Sequence, residues 1–394
     1  MRVLGVMSGT SYDAVELAAA DFRIEGETVR ATPLGTLTVD FPDELRSRLA
    51  GVLPPARTTL AEICQLDTEL GQLFGAAAER GVDQLTAGNA DLVVSHGQTV
   101  YHWVEGRQAR GTLQLGAPAW IAAATGCAVV SDLRTRDITR GGQGAPLVSL
   151  FDELLLLHDG APRGSLNLGG IANVTVRTNG ELLAWDIGPA NALIDTTVGR
   201  LSGGTESMDL DGARAARGHV HDDLLADLLA EPYYELAPPK STGKELFHTE
   251  YVAEHVARLE QRSGAGVDGD DLVATLTELT ATLAGRTCHD HQLAELVIAG
   301  GGTHNPTLLA RMRAHCAPAS LVPVDTYGIP ATGKEAYAFA LLGFLSVHGI
   351  AGTVPSATGA REPSVLGSLT PGNEPLRLPT PATARPTRLV VDGR

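Results

Sequence analysis

Apolar runs in both halves of the chain break into short turns of small and polar residues. Val3–Val6 leads into the turn Met7–Ser11, and a second apolar run, Val15–Phe22, follows it. In the second half, the run from Ser165 leads into Gly169-Gly170 and continues on the far side. Successive exposed N–H groups in such turns can form a concave anion site. Two β-hairpins with glycine turns are the alternative. Two such turns in separate halves indicate two loops that grip one polyphosphate.

The wider pattern alternates helical and strand periodicity, which is typical of an α/β fold whose ligand groups collect at the carboxyl ends of strands. Helices are predicted over Pro42–Leu53, Thr59–Arg80, Asp271–Arg286 and Glu335–Val347. Further strands are predicted over Ala90–Val94, Ala128–Ser131, Leu293–Ala299 and Ser320–Val324.

A glycine-rich stretch over 139–146 suggests a domain boundary, after which the plan of the first half repeats. We therefore predict an N-terminal domain over residues 1–135, completed by about 345–371, and a C-terminal domain over 136–344. Residues 372–394 are rich in Pro, Thr and Arg, with little apolar surface to bury, and are predicted to form a mobile tail.

The composition of the chain argues against several kinds of partner and site. At 394 residues the chain can hold two domains with full cores, and its net charge of −16 argues against a nucleic acid or an anionic membrane as partner. Its four cysteines form no CxxC pair, so no zinc motif or disulfide framework is indicated. No apolar run approaches 18 residues, and no signal peptide is apparent. The chain is predicted to be a soluble cytoplasmic protein.

Four carboxylates, Asp13, Asp132, Asp186 and Glu335, follow apolar strands or begin a helix. Magnesium ligands and catalytic bases usually occupy such positions. Glu335 could instead be a first-turn acid favoured by the helix dipole, and Asp132 could cap a turn. The four together favour an active site.

The basic residues each allow two interpretations. Arg134, Arg136 and Arg140 could receive a carboxylate through two parallel hydrogen bonds, or could be a solvated basic stretch. The turn Lys240–Lys244 could contact phosphate or sugar, or be a plain basic turn. His96 could bind substrate or be structural.

With these residues in place, the chain resembles the anhydro-N-acetylmuramic acid kinases, members of the superfamily of sugar kinases, actin and heat-shock ATPases. The resemblance runs from Val3 to about Pro371, so it covers nearly the whole chain. It rests on ordered matches at Gly5–Ser11, Ser95–Thr99, Arg136-Asp137 with Gly141–Leu147, Asn167–Asn173, Asp186–Asn191, Pro239–Gly243, Gly300–Asn305 and Lys334–Ala336.

The resemblance implies a two-domain actin-like, sugar-kinase fold with ATP and sugar bound in the interdomain cleft. It also implies a reaction in which water opens the 1,6-anhydro ring of the sugar and O6 receives the γ-phosphoryl of ATP. The product would be N-acetylmuramic acid 6-phosphate, in the recycling of cell-wall sugars. A kinase of another sugar or carboxylate on the same fold is the nearest alternative, and a non-catalytic nucleotide switch is a more distant one. A homodimer is also implied.

The resemblance assigns roles residue by residue. The catalytic residues would be Asp186, as general base on the water, and Glu335, which would help to position O6 or the magnesium shell. ATP would be bound by Gly9, Thr10, Ser11, Tyr12, Asp13, Ala14, Val15, Glu16, Gly169, Gly170, Gly300, Gly301, Gly302 and Asn305. The sugar would be bound by His96, Gln98, Thr99, Arg134, Arg136 and Asn191. Asp13 would meet Mg²⁺, directly or through water.

The chain departs from the family pattern at three positions. Ala14 and Ala190 replace two glycines, and Glu16 replaces an aspartate. A methyl group at either alanine constrains the backbone if φ must be positive there. Because the acids and Asn191 are retained, activity is expected to survive.

Overall fold

The computed structural model describes residues 1–9, 12–106, 108–238, 240–243 and 246–393. The chain forms two compact units, Met1–His158 with Tyr327–Arg394, and Asp159–Thr326. The sequence analysis placed these divisions near 135/136 and 344/345 instead. Residues 136–158 stay with the first unit because Asp137 accepts a hydrogen bond from Thr358 and Asp152 forms an ion pair with Lys334.

The strands of unit 1 are β1 (Arg2–Ser8), β2 (Ala14–Glu25), β3 (Thr28–Asp40), β4 (Leu92–Ser95), β5 (Gln98–Glu105), β6 (Gln108–Leu115), β7 (Ala128–Ser131), β13 (Ser368–Thr370) and β14 (Arg388–Val391). Seven of these described strands form one sheet in the order β13-β7-β4-β1-β2-β3-β14, and β5 pairs with β6. The β1–β2 and β2–β3 pairs are antiparallel, whereas β4 runs parallel to β1 and β7. The sequence analysis did not predict the β5–β6 hairpin.

The helices of unit 1 are α1 (Asp43–Val52), α2 (Leu60–Thr86), α3 (Pro118–Thr125), α4 (Thr135–Thr139), α5 (Ser149–Asp152), α12 (Lys334–Val347) and α13 (Pro355–Thr358). A single π-helical turn, Glu153–Leu157, continues α5. Helix α2 begins where predicted because the Thr59 side chain accepts a hydrogen bond from the N–H of Glu62 at 3.1 Å. It runs six residues beyond its predicted end at Arg80, to Thr86.

Helix α12 packs directly on the central strand β1. A Cβ atom at Gly5 would lie 2.0 Å from the carbonyl oxygen of Ala336, so only glycine allows this close approach. The helix is almost entirely buried, from Lys334 to Val347. This packing fixes the first turn of α12, which carries Glu335, beside the carboxyl end of β1.

The predicted mobile tail is wrong for its last part. Strand β14 pairs in parallel with the start of β3, and Leu389 and Val391 are buried. Asp392 forms ion pairs with Arg23, at 3.1 Å, and with Arg30. The last residues of the chain are therefore held in place by two buried apolar side chains and by the ion pairs of Asp392. The composition of residues 372–394 as a whole did not indicate this.

Unit 2 contains β8 (Arg163–Leu168), β9 (Ile171–Thr178), β10 (Glu181–Pro189), β11 (Glu295–Ala299) and β12 (Ser320–Pro323). In the part of this unit that the structure describes, the sheet order is β10-β9-β8-β11-β12, with an antiparallel β8–β9–β10 meander. The helices are α6 (Asn191–Leu201), α7 (Ala213–Arg217), α8 (Asp222–Leu229), α9 (Thr249–Ser263), α10 (Gly269–Asp290) and α11 (Pro306–Cys316).

The predicted α/β class is confirmed, and each small-residue turn closes an antiparallel hairpin, β1–β2 in unit 1 and β8–β9 in unit 2. Within the described ranges, no helix combines the length and apolar character needed to span a bilayer.

Candidate active site

Gln98, the first residue of β5, forms hydrogen bonds with the β1–β2 turn of unit 1. The hydroxyl of Ser8 donates to Oε1 of Gln98 at 2.5 Å, and Nε2 of Gln98 donates to the carbonyl of Gly9 at 3.2 Å. Gln98 is 1% exposed, so its amide acts as an internal brace of the turn. Thr10 and Ser11 lie outside the described residues.

The far side of this turn leads into β2. Tyr12 has a φ of 43°, and its N–H donates to the carbonyl of Gly9 at 3.3 Å. Asp13 is exposed, and its Oδ1 accepts from the N–H of Ala14 at 3.0 Å. Ala14 and Val15 begin the strand, and Ala14 has no positive φ. The alanine that replaces a family glycine is therefore accommodated without backbone strain.

Glu16 is within electrostatic reach of two other carboxylates, Asp13 and Glu335. Burial, reinforced by the negative charges of Glu335 and Asp13, raises the pKa of Glu16 to about 7. Because Glu335 and Asp13 both repel the charge on Glu16, a cation bound near Glu16 would be favoured. The described residues nevertheless include no group of three or more His, Cys, Asp or Glu side chains that could hold a metal ion by themselves.

Glu335 lies in the first turn of α12 with two cations nearby. Burial raises the pKa of Glu335, while the positive charges of Lys334 and Arg134 oppose that rise and the negative charge of Asp152 adds to it. Nζ of Lys334 lies 2.6 Å from Oδ1 of Asp152, and both side chains are buried. The Lys334–Asp152 pair was not predicted, because the two residues are far apart in the sequence.

His96 and Arg134 contact each other directly. Nε and Nη2 of Arg134 donate to Nε2 of His96 at 3.0 and 2.8 Å, and Nη1 donates to the carbonyl of Gly144 at 2.7 Å. Nδ1 of His96 lies 2.7 Å from the carbonyl oxygen of Gly97. His96 is buried and Arg134 is half-buried.

The remaining sugar candidates of unit 1 are less enclosed. Arg136 is exposed on α4, and Thr99 is half-buried, with its hydroxyl accepting from Nε2 of Gln114 at 3.1 Å. Next to Arg136, the fully buried Asp137 accepts from the N–H of Gly144 and the hydroxyl of Thr358, each at 2.8 Å. Asp137 was not among the predicted site residues. Its signal in the sequence is the glycine-rich stretch that follows it, because Gly144 of that stretch binds its carboxylate.

Asp186 is the candidate base of unit 2 and is half-buried on β10, beside a β-bulge. Its Oδ2 accepts from the N–H of Thr242 at 2.9 Å, and its own N–H donates to the carbonyl of Lys240 at 3.2 Å. The hydroxyl of Tyr233 donates to its carbonyl at 2.8 Å. These contacts fix both the backbone and the carboxylate of Asp186.

Lys240 belongs to the basic turn whose role the sequence left open. Its Nζ donates to the carbonyls of Tyr233 and Tyr234 at 3.0 and 2.9 Å. The ammonium is therefore bonded within the protein. Pro239 and Lys244 of the same motif lie outside the described residues.

The Gly169-Gly170 turn lies at the N-terminus of α6. The carbonyl of Gly169 accepts from the N–H of Asn191, and that of Gly170 accepts from Ala190 and Ala192, all at 3.0 Å. Nδ2 of Asn191 donates to the carbonyl of Leu168 at 3.1 Å. Ala190 has a φ of −117°, outside the left-handed region that favours glycine.

The Gly300–Gly302 loop packs on the same turn. Gly300 has a φ of +88°, and a Cβ there would lie 2.6 Å from Oδ1 of Asn167; a Cβ at Gly302 would lie 2.7 Å from Cβ of Leu168. A Cβ at Gly301 would meet nothing within 4 Å. Packing within the protein therefore explains the first and third glycines, whereas Gly301 leaves an open face that a flat ligand can approach.

Asn305 has a local structural role. Its Oδ1 accepts from the N–H of Leu308 at 2.9 Å and so caps α11. Unit 2 thus brings Gly169, Gly170, Asn191 and the Gly300–Gly302 loop together around Leu168. Asn305 holds the helix that follows that loop.

Residues 1–372 match the model of the family described as anhydro-N-acetylmuramic acid kinase. The chain belongs to the anhydro-N-acetylmuramic acid kinase family. Relatives named anhydro-N-acetylmuramic acid kinase from Rhodococcus erythropolis and Streptomyces coelicolor are each 52% identical to it, with 100% of both chains covered. One from Caldanaerobacter subterraneus is 35% identical over 93% of this chain and 96% of that relative.

Solved structures are more distant from this family member. A ROK family glucokinase from Streptomyces griseus, in complex with glucose and AMPPNP, aligns over 86% of this chain and 98% of that chain. The TM-score is 0.36 and the sequence identity is 13%. The resemblance that the sequence motifs indicated is confirmed by the family match.

Proposed function

We propose that this member of the anhydro-N-acetylmuramic acid kinase family uses ATP to convert 1,6-anhydro-N-acetylmuramic acid into N-acetylmuramic acid 6-phosphate and ADP. Water adds to the anomeric carbon, the bond from that carbon to O6 breaks, and O6 takes the γ-phosphoryl group. The observation that carries the proposal is the family match over residues 1–372. Full-length relatives of that name at 52% identity support it.

Asp186 is the proposed general base on the attacking water. A base must be held within hydrogen-bond reach of the proton that it removes. The contacts from Thr242, Lys240 and Tyr233 hold Asp186 in a single orientation on a strand that bulges at this point. A half-buried carboxylate fixed in this way can take the proton without first reorganising.

In unit 1 we assign the ATP phosphates to the segment from Gly9 to Glu16 and the sugar O6 to Glu335. Burial raises the pKa of Glu335, and the positive charges of Lys334 and Arg134 oppose that rise. Phosphoryl transfer depends mainly on alignment and charge neutralisation, so positioning by these residues supplies most of what the protein must do.

We assign the magnesium ion to the acidic side chains of unit 1. Asp13, directly or through water, would hold it, and Glu16 and Glu335 would add negative charge nearby. Mg²⁺ in kinase sites keeps several waters and binds substrate phosphates, so it takes few ligands from the protein. When bound, the ion neutralises charge on the transferring phosphoryl group.

In unit 2 we assign the phosphates to Gly169 and Gly170, and the adenosine to the open face at Gly301. For the sugar, we assign the side that carries the lactyl carboxylate to Arg134 and Arg136, whereas His96, Gln98 and Asn191 contribute through side chains that internal hydrogen bonds hold in place. The homodimer and the cytoplasmic location implied by the resemblance form part of the same proposal.

The reaction is tested by mass spectrometry of the products formed from ATP and the anhydro sugar in ¹⁸O-labelled water. We expect one label at the anomeric position and none in the bridge of the phosphate ester, because O6 keeps its own oxygen. Label in that bridge would show that a different bond is cut. Phosphorylation of other sugars but not of this one would favour the alternative kinase.

Gly301→Ala tests the nucleotide face. The new methyl group meets no protein atom within 4 Å, so the melting temperature should stay unchanged. The KM for ATP should rise on the order of fivefold, about 1 kcal/mol, while the KM for the sugar is unaffected. Steady-state kinetics with each substrate varied would measure this.

Gly51→Ala is the matched control, since a Cβ there also meets nothing within 4 Å and the residue is exposed near the end of helix α1. An equal change of the KM for ATP in both variants would remove Gly301 from the nucleotide site.

A further inference from the structure

The contact between His96 and Arg134 determines where the imidazole carries its proton. A guanidinium has five N–H donors and no acceptor. Because two of its nitrogens donate to Nε2 of His96, that nitrogen must be unprotonated. Nδ1 then carries the hydrogen and donates it to the carbonyl of Gly97 at 2.7 Å. His96 is thus a neutral imidazole in the Nδ1–H tautomer.

The surroundings of His96 keep it in that form. His96 is 4% exposed, and its ring packs against Phe339 of α12, with 4.7 Å between ring centroids. Burial, reinforced by the positive charge of Arg134, lowers the pKa of His96 to about 3. Burial, together with the nearby positive charge of Arg134, also lowers the pKa of the half-buried His102.

A neutral acceptor has a specific consequence for Arg134. A carboxylate in the place of His96 would orient the guanidinium but would also cancel its charge. Two carboxylates act on Arg134 electrostatically, Glu335 more strongly than Asp137, but neither replaces His96 as the hydrogen-bond acceptor, and Asp137 accepts from the N–H of Gly144 and from Thr358. Arg134 has five N–H groups, and three of them donate to His96 and Gly144. Among the described residues, the other two N–H groups have no hydrogen-bond acceptor.

We propose that His96 is a positioning residue, which holds the guanidinium of Arg134 through Nε2 without cancelling its charge, so that two N–H groups of Arg134 are presented to the carboxylate of the sugar. The sugar's part in this inference rests on the proposed function. The tautomer and the orientation of Arg134 do not.

The tautomer is tested by long-range ¹H–¹⁵N NMR of the intact protein between pH 5.5 and 8, with the His96 signals identified by their loss in His96→Gln. We expect a protonated Nδ1 and an unprotonated Nε2 throughout. A proton on Nε2, or titration within this range, would overturn the proposal. This measurement needs no substrate, so it stands even if the proposed reaction fails.

Stability against pH gives a second readout that is independent of activity. Since His96 stays neutral in the native protein, the unfolded chain binds one more proton as the pH falls below about 6.5. The contribution of the neutral His96 to the free energy of unfolding is therefore present above that pH and is lost as the pH falls toward about 3. His96→Gln should show a shallower loss of stability on acidification, and an unchanged pH dependence would contradict a neutral His96.

Kinetics test the positioning role. His96→Leu fills the space without an acceptor and should lower kcat/KM by about 10–100-fold, mainly through the KM for the sugar, because a charged hydrogen bond is lost. His96→Gln, whose Oε1 can take the place of Nε2, should recover most of this loss. A glutamine variant as damaged as the leucine variant, with normal stability, would show that the imidazole itself is needed. If the leucine variant does not fold, His96→Gln and the NMR measurement still decide.

His348→Gln is the matched control. His348 also packs its ring on a phenylalanine of α12, Phe344, and its Nδ1 also lies 2.8 Å from a carbonyl oxygen. It differs from His96 in lacking a contact with an arginine among the described residues. It should leave both KM values unchanged, and an effect equal to that of His96→Leu would show that any loss of a ring packed on α12 is enough.

Discussion

Asp186→Asn is expected to lower kcat by at least about 10²-fold, the scale of general-base catalysis. Asparagine keeps the size of the side chain and an oxygen that can accept from the N–H of Thr242, which lies 2.9 Å from Oδ2. It loses the basicity that takes a proton from water. Substrate binding should therefore persist while turnover falls, as measured by steady-state kinetics together with equilibrium binding of the sugar.

The control for Asp186 is Asp290→Asn, which makes the same replacement at an exposed position on α10. Its turnover should match that of the unaltered protein. Near-normal turnover of Asp186→Asn would remove this carboxylate from the mechanism and leave the water to be activated by another group.

Lys334→Met should lower the free energy of unfolding by about 3–5 kcal/mol, because it leaves the carboxylate of Asp152 buried beside an apolar side chain. Lys334 and Asp152 are 2% and 4% exposed, so solvent screens their 2.6 Å contact very little. The double variant with Asp152→Leu should regain most of the loss, since neither charge then remains. Chemical denaturation followed by circular dichroism would measure both.

The exposed pair Arg110–Glu105, at 3.2 Å, provides the comparison. Arg110→Met should cost less than about 1 kcal/mol, as is usual for ion pairs at the surface. Similar losses for the two single variants, or a double variant as unstable as Lys334→Met, would show that the Lys334–Asp152 pair contributes no more than a surface contact.

Periodicity predicted much of the fold because most elements have strong local signals. The leucines from Leu60 to Leu73 recur at helical spacing, and α2 contains them all. Pairings between distant residues have no local signal. The hydrogen bond from Thr358 to Asp137 joins residues 221 positions apart, and it keeps residues 136–158 with unit 1 rather than with the second unit.

Sequence motifs gave the positions of the candidate site residues but not their partners. The arginines after β7 were expected to be available for a carboxylate, yet three N–H groups of Arg134 donate within the chain. Asn305 was expected near the nucleotide, and its side chain caps α11. Which polar group a side chain meets depends on how strands and helices pack, and a motif does not contain that information.

The two outer strands of the large sheet, β13 and β14, both come from the last part of the chain. Arg388 of β14 lies beside Thr28 of β3, 360 residues earlier. At ribosomal rates of about 5–20 residues per second, roughly 20–70 s pass between the synthesis of β3 and that of β14. During that time the edge of β3 that β14 later covers is open to pairing with another chain. Nascent copies on neighbouring ribosomes therefore have a period of exposure that the completed protein lacks, and its length is set by translation speed rather than by folding rate.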